Sequence, residues 1–127
     1  MCEYCLIHQK DAHFTFQIDH IISRKHRGST TLPNLALSCL RCNVAKGTDV
    51  GAFVGRPRRF IRLHHPREHA WTDHFRLAGA RIAPVSEIGD ATMHLLDLNA
   101  SDRLLLRRTL VKAGRFPSPQ ALAYLRG

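Results

Sequence analysis

The chain has 127 residues, of which 44% are hydrophobic and 23% are charged, a balance typical of a soluble globular domain. No apolar run approaches the length of a membrane span, and the N-terminal residues lack a signal-peptide pattern, so we expect a cytoplasmic protein without a membrane partner. Nineteen Lys and Arg against ten Asp and Glu give a net charge of +9 and a pI near 10.3, which favours nucleic acid as partner, with an acidic membrane surface as the alternative.

The basic charge is concentrated in the second part of the chain. Residues 1–50 carry six Lys or Arg and four Asp or Glu, whereas residues 51–127 carry thirteen and six. If the four cysteines bind zinc as thiolates, the first part becomes close to neutral. We therefore expect residues 51–127 to supply most of the attraction to a polyanion.

The first fifty residues contain two predicted elements joined by a turn and a loop. Alternation of β-type residues over 14–18 predicts a short strand that ends at Asp19-His20. Residues 27–30 are predicted to turn, and residues 32–35 to form a loop. A short helix is predicted to begin near Cys42 and to end by Gly47, because glycine commonly ends helices.

The remaining residues predict further strands and one helix. Strands are expected over residues 58–63, 75–83 and 92–98, with a turn at residues 86–90. A helix is expected from Asn99 or Ser101 to about residue 113, with Gly114 after its end. The tail that holds Pro117 and Pro119 is expected to be loosely ordered. The sequence therefore predicts an α+β fold.

All four cysteines lie in the first 42 residues, as two Cys-x-x-Cys pairs that start at Cys2 and Cys39. Two such pairs can supply four thiolates to one tetrahedral zinc ion, and we expect Cys2, Cys5, Cys39 and Cys42 to bind a structural Zn²⁺. Two disulfides are the first alternative, disfavoured by the expected cytoplasmic location. A redox pair is the second, but it needs only one Cys-x-x-Cys and a βαβ setting.

Three further positions stand in a fixed order around these cysteines. Asp19-His20 lies between the two pairs, Asn34 precedes the second pair, and Asn43 follows the last cysteine directly, with a Lys-Gly pair after it. With the cysteines, this order resembles the HNH nucleases of the ββα-metal (His-Me finger) class, in the subclass with four zinc cysteines and Asn in place of the final His. The resemblance implies a zinc-bound ββα-metal module at residues 1–50. A basic, β-rich extension with a C-terminal helix at residues 51–127 would pack with it as one compact protein.

The resemblance also implies roles for these residues in hydrolysis of DNA phosphodiester bonds. His20 corresponds to the general base of the family, a task that suits a neutral imidazole near neutral pH. Asp19 and Asn43 correspond to the oxygen ligands of a catalytic Mg²⁺ or another divalent cation such as Mn²⁺. Asn34 corresponds to the middle Asn, which holds the loop and orients the base. The expected substrate is DNA, taken to be double-stranded, cut by nicking or through both strands.

Several basic side chains are candidates for contact with DNA phosphates. Those nearest the expected site are Arg24, Lys25, Arg27, Arg41 and Lys46. Arg56 to Arg59 and the basic residues of the C-terminal helix, Arg103, Arg107, Arg108 and Lys112, are candidates for a wider grip. Solvated surface charge is the alternative for each. Many relatives have Gly-Gly in the turn after the Asp-His segment, where this chain has Arg27-Gly28.

Histidines outside the module raise the question of a second metal site. His65 and His69 have the i, i+4 spacing of a helix, next to His64, but Pro66 argues against a continuous helix there. No acid or cysteine completes this set, so no metal site is expected. A second Asp-His pair ends at His74; it lacks the downstream Cys-x-x-Cys-Asn and is expected to be structural.

Two other functions remain open at this point. A non-catalytic zinc module that binds nucleic acid or protein would share the cysteines but would not need Asp19-His20 and Asn43. A thiol redox protein would need neither the basic charge nor the Asp-His and Asn pattern.

Overall fold

The computed structural model describes all 127 residues, and they form a mixed α/β structure. Three two-stranded antiparallel sheets pair β1 (Gln17–His20) with β2 (Leu35–Ser38), β3 (Gly51–Val54) with β4 (Arg59–Arg62), and β5 (Phe75–Ala78) with β6 (Arg81–Pro84). The helices are α1 (Leu40–Lys46), α2 (Glu87–Leu96), α3 (Ser101–Lys112) and α4 (Pro119–Leu125). None of these helices has the length and apolarity needed to cross a membrane.

Strands β1 and β2 and helix α1 form a ββα unit in the first fifty residues. Asp19 is paired with Ala36 and His20 with Leu35 across the sheet, and α1 packs against β1. Helix α1 ends at Gly47, which has a φ of +51°. The predicted strand end at Asp19-His20 and the predicted helix end are therefore confirmed. The expected loop over 32–35 is instead a 3-10 turn followed directly by β2.

The extension contains three helices as well as four strands. The strand predicted over 92–98 is wrong, because most of this segment belongs to α2. The turn predicted just before it holds the start of that helix, where the Ser86 hydroxyl accepts a hydrogen bond from the Gly89 amide at 3.0 Å. The tail is also more ordered than expected: Ser118 caps α4 by accepting from the Ala121 amide at 3.1 Å.

Residues from both parts of the chain pack into one hydrophobic core. The core joins Tyr4 and Leu6 from the cysteine-rich N-terminus to Trp71, Phe75 and Leu96 from the extension. The Trp71 indole N–H donates to the Tyr4 carbonyl at 2.9 Å, so the polar group of this buried ring has a hydrogen-bond partner. The extension and the cysteine-rich N-terminus therefore share one hydrophobic core.

Two arginines of α3 lie inside this core and not on the surface. Arg107 is fully buried, and its guanidinium donates to the carbonyls of Ala80 and Leu98, both at 2.7 Å. Arg103 is also buried. The expectation that these two residues grip DNA is therefore wrong, because neither side chain reaches solvent. Arg108 and Lys112 on the same helix are exposed.

The loop between β1 and β2 is fastened by one buried side chain. The Asn34 amide accepts from the Ile22 N–H at 2.8 Å and donates to the carbonyls of Ile22 and Ser29 at 2.9 and 2.8 Å. Arg27 has a φ of +69°, the left-handed conformation that glycine adopts freely. At Gly28 a Cβ atom would come 1.7 Å from the Ile22 carbonyl oxygen.

The geometry of this loop predicts that two neighbouring substitutions change the free energy of unfolding by very different amounts. Gly28→Ala should lower the free energy of unfolding by at least about 2 kcal/mol, because the added methyl group overlaps a backbone oxygen. Arg27→Gly should change it by less than about 1 kcal/mol, because glycine suits a positive φ. Urea unfolding followed by circular dichroism measures both. Equal stability of the Gly28→Ala variant and the wild type would contradict the close approach.

Candidate active site

Four sulfur atoms meet in the interior beside α1. The side chains of Cys2, Cys5, Cys39 and Cys42 are buried and free of disulfides, and their sulfurs all lie within 4.8 Å of one another. The sulfurs of Cys5 and Cys39 are 3.7 Å apart. Thiolates around one tetrahedral zinc ion are separated by about 3.8 Å, given a Zn–S bond near 2.3 Å. The group can therefore bind a structural zinc ion, as predicted from the spacing.

Burial and mutual hydrogen bonding make the four thiols unequal. Burial raises the pKa of the Cys2 and Cys42 thiols well above the usual value. Hydrogen bonds from neighbouring thiols, that of Cys2 first, lower the pKa of Cys5 and Cys39. Zinc binds cysteine as thiolate, so a bound cation would replace the thiol protons of this cluster.

The Arg103 guanidinium lies against this cluster. Its Nη2 donates to the Cys42 sulfur at 2.8 Å and its Nη1 to the Leu96 carbonyl at 2.8 Å, and the residue is only 6% exposed. Burial lowers the pKa of Arg103, but the thiolates of Cys42 and Cys5 outweigh this and raise it. A zinc ion with four thiolates carries a charge of −2, and this arginine offsets part of it.

The Asp19 carboxylate is buried between two donors that the sequence analysis did not foresee. The Tyr4 hydroxyl donates to it at 2.7 Å, and the Lys46 ammonium lies 3.2 Å from it. Asp19 is 4% exposed and Lys46 only 1%. Burial, with the charge of Asp19 second, raises the pKa of Tyr4, so this hydroxyl stays a donor.

His20 lies on the other face of β1 and is partly exposed. Its Nε2 is 2.9 Å from the Thr30 hydroxyl, and its Nδ1 has no protein partner. Asn43 lies one turn before Lys46 on α1, is partly exposed, and has no side-chain hydrogen bond. The spacing of three residues places Asn43 and Lys46 on neighbouring parts of one helix face. Asn43 therefore lies next to the residue that contacts Asp19.

The candidate DNA-binding residues fall into two groups. Arg24, Lys25 and Arg27 are exposed in the loop after β1, and none of them is in a salt bridge. Arg41 is exposed but forms a salt bridge with Asp102. The prediction that Lys46 contacts DNA phosphates is wrong. Its ammonium is buried against Asp19 and lies 3.0 Å from the His20 carbonyl, so it does not face solvent.

A second group of metal-type ligands lies in the extension. The imidazoles of His64, His69 and His74 each have a nitrogen within 4.8 Å of the others. The sequence predicts no metal site at His64 and His69, because Pro66 argues against a continuous helix and no acid or cysteine completes the set. The chain instead turns between His65 and His69, and the later Asp-His pair brings His74 to the same place.

The Arg103 contact predicts a change in zinc affinity. Arg103→Met should weaken zinc binding about 10- to 100-fold, the usual effect of removing a group that supports metal ligands. Arg108→Met, on the exposed face of the same helix, is the matched control and should leave the affinity unchanged. Competition with a chromophoric chelator measures both constants. Equal affinities in the two variants would contradict a role for the Arg103 charge at the cysteines.

Comparison with known proteins agrees with this geometry. Residues 2–49 match the model of the HNH endonuclease family. Searches among curated proteins and among solved structures found no match. The matched segment contains all four cysteines, Asp19-His20, Asn34 and Asn43, which indicates a nuclease or nucleic-acid-binding module. The resemblance to the HNH endonuclease family that the sequence motifs predict is therefore confirmed over residues 2–49.

Proposed function

We propose that the protein is a metal-dependent DNA endonuclease that hydrolyses phosphodiester bonds, with His20 as general base and with Asp19 and Asn43 as ligands of a catalytic divalent cation. The observation that carries the proposal is the free Nδ1 of His20. This nitrogen has no protein partner, on a partly exposed imidazole whose other nitrogen is held by Thr30. The family match over residues 2–49 supports the same activity.

Thr30 contacts one ring nitrogen of the proposed base and leaves the other free. If the His20 Nε2–H donates to the Thr30 hydroxyl, the lone pair of the neutral ring is on Nδ1. A water next to Nδ1 can then transfer a proton to His20 while its oxygen attacks phosphorus and the bond from phosphorus to the leaving oxygen breaks. Asn34 does not contact the base directly; its three hydrogen bonds hold the loop that carries Thr30.

The residues present fit a hard divalent cation. The Asn43 amide oxygen has no protein partner, and an ionised carboxylate has about four acceptor positions, of which Tyr4 and Lys46 use two at Asp19. Mg²⁺ or Mn²⁺ held by Asp19 and Asn43 supplies Lewis-acid stabilisation of charge on the phosphate and the leaving oxygen. Lys46 balances the Asp19 charge and must share the carboxylate with that cation.

The exposed charges suit binding along a DNA backbone, here taken as double-stranded. Arg24, Lys25 and Arg27 stand on the loop that follows His20, so a phosphate bound by them is near the proposed base. Further exposed basic residues without a salt bridge lie on the extension at Arg56, Arg58, Arg76, Arg81, Arg108, Lys112 and Arg126. Binding mainly through backbone phosphates predicts that the affinity for DNA depends weakly on base sequence and strongly on salt concentration.

One observation favours a second function. The buried Lys46 ammonium balances the charge of Asp19, so this carboxylate does not need a catalytic cation as its partner. A zinc-stabilised module that binds nucleic acid without cutting it would keep this pair and the basic surface. The two functions differ in what His20 does, and this sets the design of the activity assay.

The first prediction of the proposal is cleavage of plasmid DNA. Wild-type protein should convert supercoiled plasmid to nicked or linear forms with Mg²⁺ or Mn²⁺, and a chelator should stop the reaction. His20→Ala should lose at least about 100-fold in rate, the usual contribution of a general base. His94→Ala, an exposed histidine of α2, is the matched control and should cut normally. Binding without cleavage under every divalent cation would favour the second function.

A second prediction concerns Thr30 as a positioning residue. Thr30→Val should slow cleavage about tenfold, as one lost hydrogen bond of about 1.4 kcal/mol implies. Thr30→Ser should restore the rate, and both variants should bind DNA and unfold like the wild type. A rate unaffected by Thr30→Val would show that this hydroxyl does not hold the base.

A further inference from the structure

Three histidines of the extension form a cluster that the proposed nuclease chemistry does not use. The ring centroids are 5.7 Å apart for His64 and His69, 5.8 Å for His64 and His74, and 4.7 Å for His69 and His74. His64 is 1% exposed, and neither of its ring nitrogens has a hydrogen-bond partner. Such a group costs free energy unless something else takes its lone pair or its proton.

The spacing of the rings matches that around a single metal ion. A Zn–N bond is about 2.0–2.1 Å long, so three imidazoles on a tetrahedral ion have ring centroids about 5 Å apart. The three distances in this cluster bracket that value. No hydrogen bond joins the three rings directly. The arrangement therefore lacks the contacts expected if it were a hydrogen-bonded histidine network.

Two of the rings are held from outside the cluster. The Nδ1 of His74 is 2.7 Å from the Ser86 hydroxyl; when this hydroxyl accepts a hydrogen bond from Nδ1–H, the lone pair of the neutral ring is on Nε2. The Nδ1 of His69 accepts from the His65 amide at 3.0 Å, which leaves the proton on Nε2. Binding of an ion at that nitrogen therefore shifts the His69 proton to Nδ1 and releases the His65 amide.

The surroundings favour neutral imidazoles, the form that binds metals. Burial lowers the pKa of His64 to about 3, and it also lowers the pKa of His69 and of His74. His65 lies next to the cluster but outside it, since its Nδ1 accepts from the amides of Arg67 and Glu68, both at 3.2 Å. The cluster thus offers three nitrogen ligands and no sulfur or carboxylate.

The cluster sits on a rigid part of the extension. The His64 amide donates to the Thr92 hydroxyl of α2 at 2.8 Å. The same helix passes so close to His74 that a Cβ on Gly89 would lie 2.0 Å from the His74 carbonyl oxygen. Helix α2 therefore fixes the backbone of two of the three histidines. His69 and His74 are partly exposed, so an ion can enter and a water can complete its coordination.

We propose that His64, His69 and His74 are the ligands of a second metal site, which binds one divalent ion of the kind that prefers imidazole, Zn²⁺ first, with its fourth position open to solvent. The site is distinct from the four cysteines, because the two groups share no residue and lie in different parts of the chain. It is also distinct from the nuclease site, and its existence does not depend on cleavage.

The test is a count of metal ions on the full chain. Protein is loaded with excess Zn²⁺, desalted and measured by plasma mass spectrometry. Wild-type protein should hold two zinc ions per chain. His69→Gln and His74→Gln should each hold one, and His94→Gln, the exposed control, should hold two. Zinc should also raise the melting temperature of the wild type more than that of the two ligand variants.

A cobalt experiment separates this site from the cysteines. Co²⁺ bound by thiolates gives a sulfur charge-transfer band, and this band should be equal in the wild type and in the His69→Gln and His74→Gln variants. Equal bands show that these variants keep their fold and the metal site at the four cysteines. One zinc ion per wild-type chain, with no change in melting temperature on adding Zn²⁺, Co²⁺, Ni²⁺ or Cu²⁺, would overturn the proposal. Two ions in the His74→Gln variant would overturn the choice of ligands.

Discussion

The four cysteines are the constraint on which the rest of the structure depends. The ββα unit has strands of four residues and a helix of seven, too little regular structure to bury a core unaided. One Cys-x-x-Cys pair lies at the N-terminus and the other joins β2 to α1, so a shared ion ties the two ends of the unit together. With those ends tied, Asp19 and His20 on β1 and Asn43 on α1 have fixed relative positions.

The extension completes this unit and does more than add positive charge. Arg103 supplies a cation at the cysteine sulfurs, and Arg107 ties α3 to the turn between β5 and β6. Four further arginines of the extension are engaged with acidic residues, at Arg59, Arg62, Arg67 and Arg115. The number of arginines free of acidic partners is therefore smaller than the sequence count suggests, which gives more importance to the exposed basic residues on the loop after His20.

Local signals in the sequence predicted the parts of the structure that depend on local chemistry. The cysteine spacing identified the metal group, whereas the roles of Asp19, His20 and Asn43 stay predictions, on a strand and a helix that pack together. The strand predicted over 92–98 failed because Thr92, Leu96 and Leu98 also suit the buried side of a helix, and Ser86 decides the matter by capping it. Lys46, Arg103 and Arg107 were misplaced because charged residues are rarely buried, and only tertiary packing supplies their partners. The histidine cluster was not predicted for a related reason. The spacing of His65 and His69 suggested a helix, whereas in the structure a turn and the distant His74 bring the rings together.

Tyr4 shows how closely these sites depend on one another. It lies between two cysteines in sequence, its hydroxyl donates to Asp19, and its carbonyl accepts from Trp71. Its ring contacts His64 of the histidine cluster. A buried residue with these three contacts cannot move toward one partner without losing contact with another, since protein interiors have few voids. The position of the Asp19 carboxylate is therefore set jointly by the cysteine-rich N-terminus and by the extension, which contacts Tyr4 through Trp71 and His64.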